Sequence, residues 1–266
     1  MLAASTLGPI TRLEMARTAF GRPLYKVSAF LLGDTLIDSG CPHTARELLA
    51  WCQGRGVRRI VITHAHEDHS GGAALLSAQL GAVVQAPAAA LRALGEPFRI
   101  PLYRRIVWGQ PRPVDARPLS DEVVVGSHHL SVIPTPGHAQ EHVCLFEPKE
   151  RWLFAGDLYI SAFTRYLRDD EDAWGVVASL QRARALDPAL LLCAHAGFVT
   201  RPAAALTRKI SFLEELAAGA RELVEGGVAP RRIARQLLGR EGWMTWASRG
   251  EFSKLNLVRS LLGCAG

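Results

Sequence analysis

No apolar run in the 266 residues approaches the roughly 18 to 20 that a membrane span needs. The opening stretch from Met1 to Phe20 carries Arg12, Glu14 and Arg17 where a secretory leader requires an unbroken apolar core, so no membrane partner and a cytoplasmic location are expected. Cysteine is sparse and unpaired. Cys41, Cys52, Cys144, Cys193 and Cys264 include no C-x-x-C spacing, and their odd number argues against a disulfide framework, which leaves reduced thiols. Cys144 and Cys193 stand in apolar runs and read as core, while Cys41, just after Asp38-Ser39-Gly40, is expected to pack rather than to act. A block of one-signed charge is missing as well: the formal net charge is +6, but the arginines are dispersed, so no basic arm for nucleic acid is offered. What remains is the composition of a soluble globular chain, long enough for one large domain or two small ones.

Against these absences stands one local excess. Thr63 to Gly72 reads T-H-A-H-E-D-H-S-G-G, three histidines and an aspartate within six positions. Arg59 to Thr63, just upstream and overlapping its first residue, is β-branched and apolar and reads as a short buried strand, and Gly72 to Leu80 reads as a helix, so the cluster occupies a strand-to-helix connection. Residues two apart in extended chain project to one side, so His64 and His66 can meet one ion; Asp68 and His69 follow the turn and can reach a second. Solvated loop histidines are the bland alternative, and this density disfavours it.

The rest of the chain repeats the theme of His or Asp at a strand end. Tyr25 to Leu32 and Thr35 to Asp38 read as a hairpin turning at Gly33-Asp34, which leaves Asp38 where a strand stops, suited to hold a neighbouring histidine. Thr44 to Gln53 reads as a helix, Ala82 to Gln85 as a strand and Pro87 to Leu94 as a short helix. Strands Val123 to Val125 and Leu130 to Ile133 follow, the second delivering P-T-P-G-H with His138 as a candidate ligand. His142, four residues on, reads as a supporting residue, and His43, His128 and His129 as solvated. Val143 to Phe146 and Trp152 to Ala155 form a hairpin that ends at Gly156-Asp157, and Leu190 to Ala194 is a buried strand that stops at His195. Between them lies a helix from Asp172 to Leu186, with Asp172 as its cap.

Two segments carry no such motif. Gly95 to Pro118 holds five prolines and five arginines with Phe98, Tyr103 and Trp108, has no periodicity, and is expected to form a flap over the site. From Arg201 onward the pattern is helical, over Ala203 to Leu223, Pro230 to Leu238 and Glu251 to Leu262. The expected division is therefore a catalytic domain at 1–200 and a helical extension at 201–266 packed on it, the latter also a candidate element for a homodimer.

In order, T-H-A-H-E-D-H-S-G-G, T-P-G-H, G-D and a late strand-end histidine resemble the metallo-β-lactamase-fold hydrolases, over about Leu31 to Gly197. The resemblance implies an α/β fold, an αββα sandwich of two mixed sheets with metals at one edge and, here, a C-terminal helical appendage. It assigns His64, His66 and His138 to a first metal, Asp68, His69 and His195 to a second, and Asp157 as a bridge between them. Asp38 matches the buried aspartate that orients the first histidines, and Asp68 and Asp38 are the candidate catalytic carboxylates. Two divalent ions are implied, zinc first, with iron or manganese also suited to His and Asp ligands. The implied reaction is hydrolysis of an ester, thioester or lactone of a small molecule by a hydroxide shared between the ions, with no nucleic-acid partner. Asp157 places the chain near the thioesterase, lactonase and glyoxalase II branches. Alternatives are a mononuclear iron oxygenase of the persulfide-dioxygenase type, a phosphodiesterase, and a non-catalytic ligand-binding protein. The stretch Ala194-His195-Ala196-Gly197 departs from the family's commoner P-G-H-G at the last ligand.

Overall fold

The computed structural model describes residues 1–19, 21–97 and 99–263; Phe98 of the expected flap and Cys264 lie outside the described residues. The first sheet runs in chain order through β1 Leu2–Leu7, β2 Ile10–Met15, β3 Val27–Leu32, β4 Thr35–Ile37, β5 Arg59–Val61, β6 Val83–Ala86 and β7 Arg117–Pro118. Its first four strands pair antiparallel and the rest parallel, so the sheet is mixed. The helices that allow the parallel crossovers are α1 Ala45–Cys52, the single turn α2 Glu67–Ser70, α3 Ala73–Leu80, α4 Leu91–Gly95 and α5 Leu102–Val107.

The second sheet is built from β8 Glu122–Val125, β9 His128–Pro134, β10 Val143–Glu147 and β11 Trp152–Gly156. After the short β12 Leu167–Arg168 and the helix α6 Ala173–Ala185, it is completed by β13 Leu190–Cys193 and β14 Gly197–Val199. The C-terminal part comprises α7 Pro202–Glu225, α8 Pro230–Leu238, α9 Trp243–Ala247, β15 Phe252–Ser253 and α10 Lys254–Leu262, with β15 paired to β12.

The two-residue period of the strands sorts side chains into three cores and thereby fixes four layers. Phe30, Ile37 and Val61 of the first sheet meet Leu145, Phe154 and Leu192 of the second in the core between the sheets. Their neighbours Ala29, Leu36 and Ile60 turn outward onto Leu48 of α1 and Leu76 of α3. On the other sheet Cys144, Leu153 and Leu191 turn outward onto α6, α7, α8 and α10. The result is an αββα sandwich, as the family resemblance implied.

The C-terminal helices are part of that outer layer. Pro202 starts α7, where a missing N–H costs nothing, and Leu206, Ile210, Leu213 and Ala217 recur at helical spacing and bury against the second sheet's helices. Asp172 caps α6 by accepting from the Trp174 N–H at 3.0 Å, as expected. Several elements differ from the sequence reading, the longer ones being these. The segment Gly95 to Pro118 contains α5, because Leu102 to Gln110 is the longest proline-free run within it. The strand Leu2–Leu7 and the short helix Trp243–Ala247 lack the alternation or length that would announce them. No helix among the described residues is long and apolar enough to cross a membrane.

Candidate metal centre

The edge of the sandwich where β4, β5, β9, β11 and β13 end is where the seven candidate ligands and Asp38 converge. Asp38 follows β4 with a positive φ of 59°, a strained conformation for a non-glycine residue that its hydrogen bonds hold in place. It accepts from the Thr63 N–H at 2.9 Å, from Thr63 Oγ1 at 3.0 Å and from His69 Nδ1 at 2.7 Å. Ser39, next in sequence, donates its N–H and its hydroxyl to the His69 carbonyl at 2.7 and 2.9 Å. The loop after β4 thus braces the turn α2 that carries Asp68 and His69.

Two glycines are dictated by contact. Gly137 has φ 135°, and a Cβ there would lie 2.3 Å from the Val176 nitrogen, so only glycine lets the P-G-H loop lie flat on α6 and present His138. Gly156 has φ 47°, and a Cβ would lie 2.6 Å from His142 Nε2, which accepts from the Asp157 N–H at 3.1 Å. His142 is therefore a support for Asp157, its other nitrogen donating to Thr135 Oγ1 at 2.8 Å. Burial, with His138 next, lowers its pKa to about 3, so it stays neutral in that role.

Ligand atoms gather in two groups. His64, His66 and His138 form the first; Asp68, His69, Asp157 and His195 form the second, the atoms of each within 4.8 Å of one another. In the first, His66 Nδ1 lies 2.9 Å from His64 Nε2 and 3.0 Å from His138 Nε2. In the second, His195 Nε2 lies 3.3 Å from both Asp68 Oδ2 and Asp157 Oδ2, and His69 Nε2 lies 3.3 Å from Asp157 Oδ1. Asp157 Oδ2 is also 3.3 Å from His138 Nε2, so this one carboxylate reaches both groups.

Outer partners fix which nitrogen of each ring is free. His195 Nδ1 can only donate to the Lys26 carbonyl, 2.7 Å away, and His69 Nδ1 donates to Asp38. His138 Nδ1 lies 3.2 Å from Glu171, and His64 Nδ1 lies 3.0 Å from the Thr63 hydroxyl, whose own proton goes to Asp38. In each case Nδ1 carries the outward proton, and the inward Nε2 is the nitrogen left to meet a cation. Three of those Nε2 atoms face carboxylate oxygens, an arrangement that needs positive charge between them, a proton or a metal ion. His69 Nε2 and Asp157 Oδ1 are buried and find no hydrogen-bond partner. This donor set, imidazole nitrogen and carboxylate oxygen with its free electron pairs turned inward, fits divalent metal. His66 is the exception: its outward Nε2 lies 2.9 Å from Arg168 Nη1, itself a donor. Held by a metal through Nδ1, His66 would carry its proton on Nε2, facing Arg168, whose other partners are the carboxylates Asp170 and Glu251.

Electrostatics separates the groups. Burial and the crowding of other imidazoles hold His64 and His66 well below the ordinary histidine range, so both are neutral. His195 is driven the other way: burial pulls it down, but Asp157 and Asp68 raise it to about 10. His69 rises for the same reason, Asp157 and Asp38 overcoming burial, and Asp157 itself falls well below the carboxylate range beside His195 and His69. The second group is an anionic pocket that draws in positive charge.

A family model described as Metallo-beta-lactamase superfamily matches residues 23–195. The chain belongs to this superfamily. The superfamily binds divalent metals. Hydroxyacylglutathione hydrolase of Legionella pneumophila (strain Paris) is 30% identical over 129 residues, 48% of this chain and 44% of that protein. Hydroxyacylglutathione hydrolase of Fuscovulum blasticum is 31% identical over 175 residues, 62% of this chain and 60% of that protein. The chain thus spans less than two thirds of the length of these curated relatives. A solved beta-lactamase domain protein from Burkholderia ambifaria aligns with a TM-score of 0.71 at 20% identity, over 97% of this chain and 87% of that one, a likeness of fold across nearly the whole length.

Around the metallo-beta-lactamase centre lies a cavity of about 770 Å³. Its lining includes His66, Asp68, His138, Asp157 and His195, with Tyr103, Arg104 and Trp108 from the Gly95 to Pro118 segment and Met244 and Phe252 from the C-terminal part. Asp38 does not line it: it is buried and bonded to His69, away from the cavity, which corrects the expectation that it is a catalytic carboxylate. Its direct histidine partner is also His69 of the second group, with His64 reached through Thr63. Cys41 is fully buried against Thr44 and His43 is exposed, as expected, but His128 belongs to β9 and pairs with the buried Glu147 at 3.3 Å. Sequence reasoning passed over Glu67, Arg104, Arg168 and Glu171. Glu67 alone had a signal, a carboxylate inside the histidine cluster; the other three are identifiable only by contacts made in the fold.

Proposed function

We propose that the chain is a dinuclear metallo-hydrolase, zinc being the first candidate metal, which cleaves a thioester, ester or lactone of a small molecule. The observation that carries this reading is the pair of ligand groups joined by Asp157, with outward acceptors on Nδ1 of His64, His69, His138 and His195 turning Nε2 of each ring inward. The hydroxyacylglutathione hydrolases among its relatives favour a thioester. His64, His66 and His138 would hold one ion, Asp68, His69 and His195 the other, and Asp157 both. Held there, two divalent ions supply a nucleophile at neutral pH and polarise a carbonyl.

The chain's own residues do the rest. Asp38, Glu171, Thr63 and the Lys26 carbonyl hold the rings in orientation, and His142 holds the Asp157 backbone. Asp68 stands at the cavity wall; burial raises its carboxyl, but His69 and His195 lower it further, so it is anionic and able to accept a proton from the attacking water. Trp108, its ring 6.0 Å from that of His195, walls the cavity on that side. Because the cavity draws residues from 1–200 and from 201–266, the two parts act as one functional unit. Metal-saturated protein is expected to hold two ions per chain and to hydrolyse members of a thioester, ester and lactone panel, with His66→Ala reducing the rate by a hundredfold or more. Well under two ions per chain at saturation, or full activity in His66→Ala, overturns the reading.

A further inference from the structure

The cavity walls are more apolar than the chemistry at its floor requires. On the side of His195, Tyr25 packs on Trp108 with ring centroids 6.0 Å apart. On the side of His66 and Arg168, Tyr166 stacks on Phe252 at 5.3 Å with an interplanar angle of 15°, and Phe163 stands edge-on to Phe212 at 5.4 Å. Phe163 is 55% and Tyr25 44% exposed although both line the cavity. Aromatic surface left uncovered in a cleft beside a reactive centre is surface that a ligand covers.

The cavity's charges sort equally clearly. Arg104 is neutralised by Glu67, Arg168 by Asp170, and Lys26 by Glu14 at 2.7 Å. Arg165, exposed on the same wall between Phe163 and Tyr166, has no ion-pair partner among the described residues. One cation is therefore free to meet a ligand, beside two aromatic walls.

Building on the thioesterase reading, we infer that the substrate joins a bulky apolar acyl group, a medium-length chain or an aromatic acid, to a thiol that carries an anionic group. The acyl group lies between the Tyr25–Trp108 and Tyr166–Phe252 walls, and the anion pairs with Arg165. Water adds across the acyl–sulfur bond to give the apolar carboxylate, the free thiol and one proton. A short hydroxyacyl group would leave both walls wet.

The test uses metal-saturated, full-length protein and a series of acetyl, butyryl, hexanoyl and octanoyl thioesters of a neutral thiol, N-acetylcysteamine, and an anionic one, 3-mercaptopropionate. kcat/KM is expected to rise about two- to fourfold per added methylene, the value of moving a methylene from water to an apolar wall. Phe163→Ser, at a position 55% exposed on the Tyr166–Phe252 side of the cavity, should flatten that rise. Arg165→Ala should collapse the preference for the anionic over the neutral thiol, expected at about tenfold. Calorimetric titration with octanoate and acetate reads the same walls without turnover, octanoate binding at least tenfold tighter. A rate that is flat or falling from acetyl to octanoyl, an anion preference unchanged in Arg165→Ala, or octanoate binding no tighter than acetate overturns the inference. Failure to hydrolyse any thioester, with octanoate still bound tightly, strikes instead at the hydrolase reading and leaves the apolar site in place.

Discussion

At the scale of single residues, two buried polar groups behind the centre show how much of the molecule serves one loop. Asp38 accepts three hydrogen bonds in a strained conformation, and Lys209 of α7, 3% exposed, donates to the Leu158 carbonyl at 3.0 Å, next to Asp157. Burial lowers the Lys209 pKa from 10.5 to about 8, only partly offset by Glu171 and Asp157. Between those two values the unfolded chain binds the proton more tightly than the folded one, so stability rises with pH through that window and the penalty is at its fullest below pH 8. The penalty near neutrality is about 3 kcal/mol. In Lys209→Met it is gone, while the Leu158 carbonyl loses its donor at every pH. The stability of Lys209→Met relative to wild type should therefore improve by roughly 2 kcal/mol from pH 10 to pH 7. Denaturant unfolding of both proteins at the two pH values measures it, and a difference that does not change with pH would show that Lys209 is not desolvated in this way.

At the scale of elements, α5 is tied to the histidine loop by a charge network rather than by apolar packing. Arg104 donates through Nε and Nη2 to both oxygens of Glu67, and its Nη1 lies 3.6 Å from Glu251 of the C-terminal part. Glu67 is 1% exposed, so Arg104→Ala leaves a buried carboxylate without its counter-ion, which costs about 3 to 5 kcal/mol. The expected result is a lowered unfolding midpoint together with a raised KM, since Tyr103 and Trp108 of the same segment line the cavity. The double variant Glu67→Gln with Arg104→Met should recover most of the stability without restoring KM; recovery of both would mean that α5 does not need the tether. This network marks where the sequence stops being legible. The strands were readable because β-branched and apolar residues alternate between two cores, and His64 through His69 because metal chemistry requires that density of ligands. Helix α5 sits among prolines that hide its six residues, and the role of Arg104 is set by Glu67, 37 positions away, and by Glu251, 147 positions away. A side chain whose function lies in a distant partner carries no local pattern.

At the scale of the whole molecule, the centre is a seam. His64, His66, Asp68 and His69 hang from the end of β5 in the first sheet, while His138, Asp157 and His195 hang from β9, β11 and β13 in the second. The histidine cluster is thus half of a site that exists only when both sheets have stacked, and metal bound there links the two halves of the sandwich. Binding to the folded state alone stabilises it by about 2.7 kcal/mol for each site held at a hundredfold excess over Kd. The second group makes this linkage pH-dependent. With His195 raised to about 10 and His69 raised as well, protons occupy that group near neutrality and must leave when metal enters, so affinity there should fall at least about tenfold for each unit of pH lost below 10. The first group, whose His64 and His66 are held neutral, should lose little affinity until the pH is well below the ordinary histidine range. Stripping metal with a chelator should lower the unfolding temperature at pH 8, and competition titrations across pH 6 to 9 should resolve one steep and one shallow metal affinity. Two affinities of equal slope would mean that the carboxylates around His195 and His69 do not hold a proton in this way, and that the two halves of the seam are electrostatically alike.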